Sequence, residues 1–281
     1  MSILVTGFNG KVGFEVANKL KNRKESFKCA VRNVEKARLQ YGNDYQFVKL
    51  DFSNTDTFSD ALEGIDKIFL MYPPGDNIQF EAFINLAKEK SVKHITYLSL
   101  KDVQYMPFVH HNKNEKLIKK SGVVYTFLRA GYFMQNLTDF LLKEIQERKR
   151  IFVPAGKGKT SFVDTRDIAE IAAISLAKTD LYKNKAYVIT GDEALDFYEV
   201  ADIMSGVLQT KITYTNPSAK EFKEFMNAQG EDEKMTNVVV GVHFPTKIGL
   251  AGGIKYDYEK VTGKKPTKLR KYVEDYKEIW Q

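Results

Sequence analysis

Ile3-Leu4-Val5 is an apolar run of the length of one buried strand, and it ends at a cluster of glycines. Beyond Lys11, apolar residues fall at Val12, Val16, Ala17 and Leu20, the spacing of one helix face. The alternation continues along the chain. Residues 27–31, 46–50, 67–71, 95–99 and 123–128 read as further strands. Phe80, Phe83, Ile84 and Ala87 mark a helix face between the fourth and fifth of six strands, and a helix from about 111 to 120 stops at Ser121-Gly122. The fourth strand runs into Tyr72-Pro73-Pro74-Gly75-Asp76-Asn77, which neither helix nor strand tolerates. Strands separated by helices, with little room for hairpins, predict an α/β fold with a parallel, doubly wound sheet.

Beyond Arg129 the rhythm changes. Leu137, Phe140 and Leu141 share a helix face, Ile151-Phe152-Val153 follows, and Gly156-Lys157-Gly158-Lys159 reads as a mobile stretch. Ser161-Phe162-Val163-Asp164 precedes a helix over 168–177, and 187–190 reads as a late strand. Asp196-x-x-Glu199 and Ser218-x-x-Glu221 are capping-box patterns that open two more helices. Leu269, Tyr272, Val273, Tyr276 and Trp280 lie mostly at helical spacing in a last helix. The expected organisation is one domain over 1–130, with 151–177 returning to it, and a smaller, mainly helical, discontinuous substrate-binding region over 131–281.

Composition narrows the class. At 281 residues and 43% hydrophobic content the chain can bury a core. No apolar run approaches the roughly 18 residues that span a bilayer. Cys29 is the one cysteine and the sequence runs straight into its first strand, so a cytoplasmic protein without membrane contact is expected. The net charge of +7 comes from lysines spread among acids. The densest basic runs, 113–120 and 264–271, are broken by Glu115 or by apolar residues, which favours a solvated surface over nucleic-acid binding.

The glycines carry the first chemistry. Gly7, Gly10 and Gly13 sit between a strand and a helix, where the backbone must turn tightly and a helix N-terminus can receive a pyrophosphate. This is the opening of a Rossmann-type dinucleotide-binding unit, and Gly7, Phe8, Asn9, Gly10, Lys11 and Val12 are its candidate contacts. After the second strand an NAD-binding unit would carry an acid for the ribose hydroxyls; here Val31-Arg32-Asn33 has none. Arg32 is placed to pair with a 2′-phosphate, with Lys36 one turn on, so NADP(H) is favoured over NAD(H). The alternative for Arg32 is a surface arginine at a strand end. Asp51 and Phe52 are expected to border the adenine, unless Asp51 caps the following turn. Met71, Tyr72 and Pro73 are expected along the ribose and pyrophosphate.

The segments TGFNGKVG, VRNVEKA, YTFLRAGYFMQN, FVDTRDIAEIAA and TGKKPTKLRKYV together resemble the NmrA-like group of atypical short-chain dehydrogenase/reductases over nearly the whole chain. That resemblance implies either an NADPH-dependent reductase of quinones or dyes, or a regulator that senses the nicotinamide redox state and binds a protein partner. Most short-chain dehydrogenases use a Tyr and, four residues on, a Lys. Aligning Glu115 with the family's following Glu puts Pro107 and His111 at those two positions, so neither half of the pair is present. Tyr97/Lys101 and Tyr256/Lys260 are chance matches to the spacing. His111 and Ser99 remain as catalytic candidates, His111 because an imidazole titrates near neutrality, while His110 is set aside because adjacent helix positions face apart.

Tyr132, Phe133 and Asn136 are expected to line a small-molecule substrate pocket. Hydride delivery to an electron-poor, conjugated acceptor needs little acid catalysis and survives loss of the Tyr/Lys pair. A third reading, a nucleoside-diphosphate-sugar epimerase, ranks last because that reaction needs the missing tyrosinate. The four histidines and one cysteine form no metal-binding spacing, so no metal is expected.

Overall fold

The computed structural model describes residues 1–280; Gln281, the end of the expected second region, lies outside the described residues. The chain begins with β1 (Ser2–Val5), α1 (Lys11–Asn22), β2 (Ser26–Val31), α2 (Val34–Tyr41), β3 (Phe47–Lys49), α3 (Phe58–Ala61) and β4 (Lys67–Leu70). It continues through α4 (Phe80–Glu89), β5 (His94–Leu100), α5 (His110–Ser121) and β6 (Val124–Ala130). A second unit takes β7 (Tyr132–Phe133), α6 (Asn136–Arg148), β8 (Arg150–Ile151) and β9 (Thr160–Val163). The chain returns to the first unit for α7 (Thr165–Ala177), α8 (Thr179–Tyr182) and β10 (Lys185–Ile189). The second unit closes with β11 (Ala194–Leu195), α9 (Phe197–Leu208), β12 (Thr213–Tyr214), α10 (Ala219–Ala228), α11 (Glu233–Lys247), α12 (Asp257–Thr262) and α13 (Leu269–Asp275).

The first unit is a seven-stranded sheet in the order β10-β6-β5-β4-β1-β2-β3, with every pair parallel. From β1 the chain winds one way through β2 and β3 and the other way through β4, β5 and β6. A crevice for a ligand therefore opens between the carboxyl ends of β1 and β4. β4 is buried along its length, as a strand covered on both faces must be. Alternation splits the faces: Leu4, Ile68, Leu70, Ile95, Tyr97 and Phe127 pack with apolar residues of α3, α4 and α5. On the opposite face α7 packs on α1 and against β4, β5 and β6.

The returning segment differs from expectation. It is Thr165–Ile189, whereas residues 151–164 belong to the second unit. The reason is strand pairing: β9 lies between β7 and β11 in a small sheet of that unit, while α7 buries Ile168, Ile171 and Ala172.

The second unit has its own core of α6, α9 and α13 side chains, including Leu137, Leu141, Phe197, Met204 and Tyr272, joined by Trp280 beyond α13. Both capping boxes form, Asp196 with Glu199 and Ser218 with Glu221. The stretch 156–159, expected to be mobile, packs at Gly158 and pairs at Lys159. A Cβ on Gly158 would stand 1.7 Å from the Thr246 carbonyl oxygen, and Lys159 pairs with Glu199 at 2.8 Å. The long helix α11 carries no apolar stripe, because its buried positions are Thr236, Val239, His243 and Thr246.

Candidate functional site

β1 is followed by Thr6, whose hydroxyl accepts from the Met71 N–H at 2.8 Å and ties the end of β1 to the end of β4. Gly7 then takes a left-handed φ of +66°, and a Cβ there would stand 2.7 Å from the Met71 sulfur. The Gly10 N–H closes the turn onto the Gly7 carbonyl at 2.9 Å. At Gly13 a Cβ would stand 2.1 Å from that same carbonyl oxygen, so the third glycine lets α1 lie directly on the turn. Gly10 caps α1 with no side chain, and the first turn holds no acid. With no capping side chain and no acid in the first turn, the positive dipole end of α1 is a fit for a pyrophosphate.

Phe8 and Val12, expected as contacts, have buried side chains, which corrects a side-chain contact for either. Phe8 is fully buried, edge-on to Tyr41 and Tyr45 at 4.9 Å each, and anchors the turn from beneath. Val12 is buried on α1. Asn9, Gly10 and Lys11 are exposed.

Arg32 and Lys36 are exposed at the end of β2 and the start of α2. Asn33 between them caps α2, its side chain accepting from the Lys36 N–H at 2.7 Å. Asp51 accepts from the Ser53 N–H at 2.9 Å and from the Ser53 hydroxyl at 2.7 Å, so it does cap its turn. These bonds, with Arg32 and Lys49 nearby, hold its carboxyl below the usual range. Phe52 is corrected too: its ring is buried against Phe58 at 5.9 Å and Phe83 at 4.9 Å.

Met71, Tyr72 and Pro73 are half-buried at the end of β4. Tyr72 stacks on His110, centroids 5.1 Å apart, and lies 6.2 Å from the His111 ring. Both histidines therefore gather at one aromatic residue, although adjacent helix positions were expected to separate them. Pro107 is exposed in the loop before α5. The Tyr97 hydroxyl, on β5, lies 2.7 Å from His111 Nδ1. Asn114 Nδ2 donates to the same hydroxyl at 3.0 Å. Burial lowers the His111 pKa to about 4, so the ring is neutral at ordinary pH. The expectation of an imidazole titrating near neutrality is corrected accordingly. Burial also raises the Tyr97 phenol.

Ser99 is 1% exposed and donates to Glu115 Oε1 at 2.7 Å. Glu115 in turn holds Arg129 through bonds of 3.0 and 2.6 Å. A hydroxyl so buried and committed is a structural group, which corrects the expectation of a catalytic Ser99. The sequence signal for this cluster is that His111, Asn114, Glu115 and Ile118 share one helix face, while Tyr97 and Ser99 share one strand face. A reading tuned to apolar stripes passes over a polar inward face.

In the second unit, the Tyr132 hydroxyl lies 2.9 Å from His243 Nε2, while His243 Nδ1 lies 2.7 Å from the Val239 carbonyl. A carbonyl only accepts, so Nδ1 carries the proton and Tyr132 donates to Nε2. The Tyr132 ring packs edge-on to Phe162 at 5.2 Å. Its hydroxyl thus serves the core of its own unit, a correction to a substrate role for that group, and His243 was not anticipated. Phe133 and Asn136 are half-buried. Among the described residues no cluster of three His, Cys, Asp or Glu side chains is arranged for a metal. No described helix is long and apolar enough to cross a membrane.

The model of the NmrA-like family matches residues 1–278. An NAD(P)H azoreductase of Xenophilus azovorans is 31% identical over 268 residues, covering 93% of each chain. The crystal structure of the Citrobacter sp. triphenylmethane reductase complexed with NADP(H) superposes with a TM-score of 0.86 at 26% identity, covering 98% of this chain and 99% of that one. An NADPH-dependent quinone oxidoreductase from Escherichia coli does so with a TM-score of 0.86 at 25% identity, with the same coverage of 98% and 99%.

Proposed function

The chain belongs to the NmrA-like family, and on that footing we propose that it is an NADPH-dependent oxidoreductase acting on a quinone-like or other electron-poor small molecule. The observation that carries this reading is the glycine-lined N-terminus of α1, with no acid in its first turn, together with exposed Arg32 and Lys36 beyond β2. The α1 N–H groups would hold the pyrophosphate, and Arg32 with Lys36 the 2′-phosphate. Met71, Tyr72 and Pro73 would flank the ribose and pyrophosphate. Bound there, the reduced nicotinamide supplies the hydride.

The acceptor class follows from what the chain lacks. With Pro107 and His111 at the Tyr and Lys positions, no side chain there is poised to give up a full proton. A conjugated acceptor stabilises its own anion and tolerates this; an ordinary ketone does not. The three relatives' names, an azoreductase, a triphenylmethane reductase and a quinone oxidoreductase, agree with that class. His111, through a neutral N–H, is the side chain of the first unit proposed to meet cofactor or substrate.

Titration with NADPH and NADH, on the native protein and on Arg32→Ala, tests the cofactor assignment. Native protein should prefer NADPH, and Arg32→Ala should weaken NADPH about tenfold to a hundredfold, the worth of a charge-assisted contact, while leaving NADH unchanged. A preference for NADH, or an indifferent mutation, overturns it. Steady NADPH consumption with a panel of quinones tests turnover; tight binding without turnover would point to a redox sensor instead.

A further inference from the structure

We propose that Tyr97 is a positioning residue for His111: with Asn114 it fixes the imidazole as the Nε2–H tautomer, a neutral hydrogen-bond donor aimed at an acceptor oxygen. The chain of bonds is directional. Asn114 Nδ2 donates to the Tyr97 oxygen at 3.0 Å. The phenol's single proton then has His111 Nδ1, 2.7 Å away, as its acceptor. Nδ1 is therefore without a proton, and the neutral ring carries its hydrogen on Nε2, on the far side from Tyr97. Tyr97 is fully buried and Asn114 nearly so, so no solvent competes for these bonds.

Protonating Nδ1 would set two donors against the Tyr97 oxygen and strand the phenol proton with no acceptor. The other titratable groups around the ring are Tyr72 from the end of β4 and His110 and Glu115 from α5. Glu115 is held by Ser99 and Arg129 and is not a proton acceptor for the ring. A fixed N–H donor thus stands in place of the mobile proton of the missing Tyr/Lys pair. Its use in catalysis rests on the reductase reading above; the tautomer does not.

Two acceptor oxygens fit such a donor, a ribose hydroxyl of the cofactor and a carbonyl oxygen of the substrate. Long-range proton–nitrogen NMR on the full-length, nitrogen-15-labelled chain reads the tautomer directly, with the His111 signals assigned by their loss in His111→Gln. The expected spectrum shows His111 protonated at Nε2 alone from about pH 5 to about pH 8, and Tyr97→Phe should lose that preference. A native ring protonated at Nδ1, or a tautomer unmoved by Tyr97→Phe, overturns the proposal. The native spectrum decides even where the variant does not fold.

In NADPH-dependent quinone reduction, Tyr97→Phe should lower kcat about tenfold at nearly constant KM if the oxygen is the substrate's. If the oxygen is the ribose's, NADPH affinity should fall by that factor instead. No change in either overturns the positioning role. A native protein that turns over no quinone fails the reductase reading, and the spectrum still decides the tautomer.

Discussion

A single hydroxyl separates two accounts of Tyr132. As a substrate contact it would be free to meet a ligand; in the structure it donates to His243 Nε2 at 2.9 Å, and His243 is fully buried. Tyr132→Phe strands that nitrogen without a donor, so unfolding in urea should show a loss of about 1–3 kcal/mol. A variant as stable as the native protein, but with a raised KM, would restore the substrate role. Ser99 teaches the same lesson from the other side. Its position at the end of β5 was legible in the sequence, but its commitment to Glu115 was not, because the partner lies 16 residues on, across a strand–helix packing.

At the level of elements, β1, the turn and α1 work as one piece, and two glycines of the chain show how differently the same residue can be used. A Cβ at Gly13 would stand 2.1 Å from the Gly7 carbonyl, whereas one at Gly241 in α11 meets nothing within 4 Å. Gly13→Ala must push α1 off the turn, so NADPH affinity should fall at least about tenfold by fluorescence titration while circular dichroism stays native. Gly241→Ala should stabilise the protein by up to about 1 kcal/mol in thermal unfolding, because the helix gains propensity without a clash. Equal binding in Gly13→Ala would remove the turn from the cofactor site. The capping boxes of α9 and α10 were visible because a cap is a local pattern. α11 was not, since its inward face mixes Thr236, Val239, His243 and Thr246 and its sequence contains Pro245.

On the scale of the whole molecule, each unit buries a histidine in neutral form. His94 lies between Thr126 and Thr179 in the first unit, and His243 lies in the second. Burial lowers both pKa values to about 4, against about 6.5 in an unfolded chain. Between those values the unfolded chain holds a proton that the fold refuses. Stability is therefore full above about pH 6.5 and is lost as pH falls toward about 4. Near pH 5 each ring should remove about 2 kcal/mol. Denaturant unfolding at about pH 7 and about pH 5 should show the loss, and His94→Gln should show a smaller one by about that amount. A native protein equally stable at both pH values would mean that these rings are solvated.

The sequence by itself determined the parallel α/β frame, the glycine turn, the basic end of β2 and the absence of the Tyr/Lys pair. All of these are written in spacings of a few residues, where strand period, helix period and turn chemistry act locally. Tertiary structure decided which side chains those elements bring together. Phe8 and Phe52 turned into aromatic clusters because burying their rings outweighs anything an exposed position offers. Residues 151–164 stayed in the second unit because β9 finds its backbone partners there. Tyr97 met His111 because a strand face and a helix face, 14 residues apart in sequence, close on each other only when the sheet is covered. A hydrogen bond of that kind depends on packing between elements, and no local pattern records it.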